Sequence, residues 1–113
     1  MTVDEYRRIA LAQPEAVESS HMNHPDFRVR NKIFATIYSV ERCEGALKLT
    51  PEQQKQFMKE YPKIFSPAAG AWGRSGSTIV QISLAKNDVV ERAMQFAWRN
   101  TAPKRLVAQF EGE

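Results

Sequence analysis

The stretch His24–Tyr38, HPDFRVRNKIFATIY, constrains this chain more than any other. Phe27 and Val29 alternate with Arg28 and Arg30, and Ile33, Ala35 and Ile37 alternate with Phe34, Thr36 and Tyr38. A period of two on both sides of a polar Arg30-Asn31-Lys32 step predicts a tight β-hairpin, because successive strand side chains leave opposite faces. Asn31 tolerates positive φ best and belongs at the crown of the turn. Such a hairpin directs an apolar face inward and holds Arg28, Arg30 and Lys32 outward or at the tip.

The rest of the chain supplies partners for it. Thr2-Val3-Asp4-Glu5 reads as a capping box opening a helix over residues 3–13, with Tyr6, Ile9, Ala10 and Gln13 at helical spacing and Pro14 as the stop. Residues 15–23 have no clean period and suit a polar edge strand. The second hairpin strand should reach Val40, followed by a turn over 41–45 and a strand over 46–49. Thr50-Pro51-Glu52-Gln53 is a second capping box with proline at the first helical position, and Gln54, Phe57, Met58 and Tyr61 form that helix's inner face. A short strand over 63–69 is demoted to an edge or bulge by Pro67. Gly70–Gly76 reads as a loop, and 78–84 as a strand with Val80, Ile82 and Leu84 on one face. Asn87 is the expected cap of a helix whose stripe is Val90, Ala93, Met94, Ala97 and Trp98. After Pro103, one or two more turns should pack Leu106, Val107 and Phe110 downward. The order is α-β(3-4)-α-β(2)-α, which implies an α+β fold in two layers, a mainly antiparallel sheet with helices on one face.

At 113 residues the sequence suits one domain, 1–113, and 42% hydrophobic with 26% charged residues excludes a disordered chain. A lone Cys43 rules out a disulfide framework or thiolate cluster. With no leader-like start and no long apolar run, the expectation is a cytoplasmic protein without membrane contact. A formal charge of +3 leans mildly toward anionic partners.

Four blocks, HPDFRV–NKIFATI, LKLTPEQ, FSPAAGAWGRSGSTIVQISL and AWRNTAPKRL, occur in an order that resembles the MmcQ/YjbR family over nearly the whole chain. The resemblance implies a small α+β protein with a CyaY-like (frataxin-like) or secretion-chaperone-like fold, and a DNA-binding role through a double-wing arrangement. Many relatives carry glycine at the hairpin crown, where this chain has Arg30-Asn31 and a more basic tip.

Candidate chemistry follows from residue types. Arg28, Arg30 and Lys32 on one hairpin, and Arg74 beside Trp72 on another turn, suit phosphate tracking with an indole for base stacking; Arg99, Lys104 and Arg105 extend the track. The 70–76 loop matches neither the Walker nor the dinucleotide pattern and leads into a strand, which favours a wide turn over a phosphate nest. His21 and His24, three apart on an extended segment, would point to opposite sides and make a poor metal pair. His24 before Pro25 reads as a brace. Glu15, Glu18 and Asp26 are too few for a frataxin-like acidic ridge. Cys43 beside Arg42 lacks a base partner, and no hydrolase motif is present. The expectation is therefore a monomeric non-enzyme without metal or cofactor, binding DNA or other nucleic acid mainly through phosphates. The alternative is an adaptor or chaperone-like module that takes a peptide or protein along an open sheet edge. A small-molecule pocket near Trp72 and His24 ranks third.

Overall fold

The structure is a computed structural model and describes residues 1–111; positions 112 and 113 of the expected domain lie outside it. One six-stranded antiparallel sheet organises everything, in the order β1-β2-β3-β4-β6-β5. Its strands are β1 (Val17–His21), β2 (His24–Val29), β3 (Lys32–Ser39), β4 (Glu44–Lys48), β5 (Phe65–Pro67) and β6 (Ser77–Gln81). The helices are α1 (Val3–Leu11), α2 (Pro51–Glu60), α3 (Gly70–Arg74), α4 (Asn87–Thr101) and α5 (Lys104–Glu111). The α+β class and the one-sided helix layer expected from the sequence are both found.

The central hairpin is as the alternation predicts, with Val29 opposite Lys32 and positive φ at Arg30 (49°) and Asn31 (71°). Two consecutive positive values make a primed turn, whose twist matches that of the flanking strands. The alternation does break once. Phe27 pairs Ala35 while Arg28 pairs Ile33, which leaves Phe34 as the extra residue of a bulge. Phe34 and Ala35 are therefore both buried, and Ile33 moves to the uncovered side.

Both capping boxes form as read, Thr2 with Glu5 and Thr50 with Gln53. Tyr6 of α1 lies fully buried on the sheet, its hydroxyl proton shared between the Thr36 and Ala46 carbonyls at 3.1 and 3.2 Å. Burial pushes its phenol far up from the ordinary range. Gly45 is required beneath it, because a Cβ there would stand 2.5 Å from the Tyr6 ring. Phe27, Val29, Phe34, Ile37, Leu47 and Val80 meet Tyr6, Val90, Met94 and Trp98 in one continuous core.

Several expectations are corrected. Gly70–Gly76 is not a plain loop: Gly70–Arg74 forms α3, and Gly73 packs so tightly on the Ala68 carbonyl that a Cβ would stand 1.8 Å away. The strand expected over 78–84 stops at Gln81 and gives way to a 3-10 turn, so Ile82 stays buried but Leu84 is exposed. Lys86, not Asn87, occupies the N-cap of α4, and no side chain caps it. Strand β4 begins at Glu44, inside the stretch expected as a turn, and β5 shrinks to three residues.

Candidate functional site: the uncovered face of the sheet

Strand alternation sends the second set of side chains to the face that α1 and α4 leave uncovered. Asp26, Thr36, Ala46 and Ile79 share one register row there, and Tyr38, Glu44, Lys48, Ser77 and Gln81 flank it. This face carries a groove of about 730 Å³, the size of a nucleotide or small-ligand site. It runs from the β1–β2 turn, through Ala46 and Ile79, to Trp72 on α3.

At the α3 end, Trp72 is 68% exposed and its ring takes the Lys48 ammonium 4.8 Å from its centroid. A large aromatic left this open beside a cation offers a flat surface for a planar ligand and a charge for an anionic one. The placement of α3 is firm, since the Gln54 amide donates to the Gly73 carbonyl at 3.1 Å and to the Ser77 carbonyl at 3.0 Å.

At the β1–β2 end, the His24 ring stacks parallel to Tyr38, centroids 5.8 Å apart and 6° between planes. Beside them Asp26 is completely shielded from solvent although it lies on the uncovered face. Arg28 Nε and Nη2 donate to its two oxygens at 2.8 and 3.0 Å, and His21 Nδ1 lies 2.8 Å from Oδ2. An ionised carboxylate only accepts, so Nδ1 carries the proton and Nε2 is the free ring nitrogen. The Arg28 bond, against the opposing effect of burial and with help from His21, holds the Asp26 carboxyl below its ordinary range.

The sequence-predicted residues divide across this frame. Trp72 lines the groove, and Arg74 ends the same short helix. Arg28 serves Asp26, and Arg30 makes a two-pronged pair with Glu15 at 2.6 and 3.0 Å, so both guanidinium charges are matched by carboxylates. Lys32 is exposed at the hairpin tip, with no ion pair among the described residues. Arg99, whose guanidinium lies 5.9 Å from the Phe96 ring, belongs to α4, on the covered face of the sheet. Lys104 and Arg105 follow on α5, packed through Leu106 and Phe110 in the same layer. The eight residues therefore do not form one surface.

Sequence reasoning missed Lys48, Tyr38 and the placement of the two histidines. Met22 and Asn23 both take positive φ and form a second primed turn, which sets His21 directly across from His24 on one face. The expectation that they diverge fails because the chain reverses between them. His-Met-Asn-His offers only Asn23 as a turn signal, too little to expose the hairpin. No group of three or more metal-ligating residues exists among the described residues, and no helix is long and apolar enough to cross a membrane.

A two-layer α+β domain with helices on one face and an aromatic-ended groove on the other is the class this chain defines. The chain belongs to the YjbR family, whose model matches residues 11–100. Among solved structures it is similar to Deinococcus radiodurans protein DR2400, which carries the domain DUF419. That match has 15% identity and a TM-score of 0.72, covering 99% of this chain and 81% of the other, and it is a likeness of fold. No curated protein matches it.

Proposed function

We propose that the protein binds single-stranded nucleic acid across the uncovered sheet face, without catalysis. The carrying observation is the groove with an exposed aromatic surface at each end, Trp72 beside Lys48 and Tyr38 under His24. Bases stack on such surfaces whatever their identity, and a duplex offers no free base faces to them. Cations complement the backbone: Lys48 lines the groove beside Trp72, and Arg74 ends the same short helix. Contacts are mainly to phosphate with little base readout, since no helix stands proud to enter a groove.

Fluorescence anisotropy with short single- and double-stranded DNA and RNA, at low and near-physiological salt, tests this. Single strands should bind in preference, weaken with salt, and lose part of the salt slope in Lys48→Gln/Arg74→Gln. Indifference to every oligonucleotide at low salt retires the proposal.

A second reading, capture of an extended peptide, has its own support. Edge strand β1 is open along its outer side, with Val17 57% exposed. Backbone pairing there would be insensitive to salt, which separates it from the first reading.

A further inference from the structure

We propose that His21 and His24 together form a phosphate-binding site at the β1–β2 end of the groove, which takes the terminal phosphate of the bound strand once the imidazoles are protonated. The source of the phosphate rests on the nucleic-acid reading above; the site itself does not.

The geometry carries it. The second primed turn makes the two histidines cross-strand partners, with ring centroids 6.2 Å apart and planes inclined by 56°. Both line the groove. A tetrahedral anion seated between two imidazolium rings at that separation reaches each with a charge-assisted hydrogen bond. His21 is held for this: Asp26 fixes Nδ1 and leaves Nε2 as the outward donor. Such an orienting carboxylate usually spends its charge on the histidine. Here Arg28 already neutralises Asp26 through two hydrogen bonds, so protonation of His21 adds a full positive charge to the groove wall. His24 is held from the other side by its parallel stack on Tyr38.

The surroundings do not compete for that charge. Glu44 on β4 is a carboxylate lining the groove; it is engaged by Arg42 at 3.1 Å and by the Gln81 amide at 3.1 Å. Glu18 on β1 pairs with Arg7 of α1 at 3.0 Å, on the covered side. Tyr38 on β3 stacks on His24 and brings no carboxylate to the site. Lys48 is the remaining charged group of the lining and sits at the α3 end, on Trp72. The positive charge of the groove's near end thus depends on the two imidazoles.

Two measurements on the full chain test the site and its ligand separately. Histidine side-chain NMR with inorganic phosphate, at about pH 5.5 and about pH 8, should show saturable shifts of His21 and His24 together at the lower pH alone. Oligonucleotides with and without a 5′-phosphate should differ about tenfold in affinity at the lower pH and bind alike at the higher one. His21→Gln and His24→Gln should each erase that difference while leaving residual binding. Absence of saturable histidine shifts overturns the site, and equal affinity for both oligonucleotides at low pH overturns its assignment to a strand's terminal phosphate. Histidine shifts with phosphate, but no oligonucleotide binding at all, would keep the site for free phosphate and retire the nucleic-acid reading.

Discussion

The two faces of the sheet are made by alternate residues of the same strands and obey different rules. On the covered face, Phe27, Ile37, Leu47 and Val80 bury apolar surface against α1 and α4, and the Tyr6 hydroxyl is satisfied by two carbonyls. On the uncovered face, Asp26 is equally hidden, but by Arg28 and His21 instead of by packing. Apolar burial is non-directional and tolerant of detail, whereas a sequestered carboxylate needs every hydrogen bond in place. The covered face therefore stabilises the fold, and the uncovered face, with its exposed Trp72 and groove, is the one proposed above to bind.

That contrast can be broken at its strongest point first. Phe27→Ala should cost about 3–5 kcal/mol, a large share of a small domain's stability, and urea unfolding measures it. Trp72→Ala should leave stability within about 0.5 kcal/mol yet weaken single-strand binding about 10- to 100-fold. If Trp72→Ala unfolded the protein instead, the faces would not divide as argued.

Asp26 lies between these extremes, since it is structural but on the uncovered face. Asp26→Asn should cost about 1–2 kcal/mol by thermal or urea unfolding at neutral pH, through weakened bonds to Arg28 and His21. Its folded carboxyl titrates below the unfolded value, so its stabilisation is complete above the ordinary carboxylate range and is lost as pH falls through the depressed value. Urea midpoints measured downward from about pH 6 should therefore decline in the wild type and decline less in Asp26→Asn. The Arg30–Glu15 pair holds Glu15 low in the same sense, so part of the acid limb should survive in that variant.

The smallest effect is expected from the helix layer. Lys104→Gln/Arg105→Gln should change oligonucleotide affinity by less than about threefold, since long-range attraction across the domain is screened at physiological salt. A loss as large as that of Trp72→Ala would move the binding surface to the covered side.

Much of this was legible in local residue patterns. The Arg30-Asn31 crown, both capping boxes and the buried stripe of α4 each depend on neighbours within a few positions, where φ preference and spacing decide. Trp72 beside a basic residue was also visible as a candidate. The failures were of another kind. Leu84 continued an alternation that the chain abandons, because the backbone after Gln81 turns away from the sheet into a 3-10 turn. Arg28 and Arg30 look alike in sequence to free phosphate contacts, but Arg28 shares a strand face with Asp26 two residues away, and Glu15 is brought to Arg30 by the return from α1.

The sequence by itself determined most of the strands and helices, the central turn with its Arg30-Asn31 crown, and which residues are apolar enough to build a core. Tertiary structure decided what the charged and aromatic residues do. It joined His21 to His24 across a turn, spent two arginines on carboxylates, consigned Arg99, Lys104 and Arg105 to the opposite layer, and left Trp72 facing a groove. The reason is range. Backbone preferences and periodicity act over a few residues, while a charge's partner and a ring's exposure are set by whatever the fold places within a few ångströms, regardless of distance along the chain.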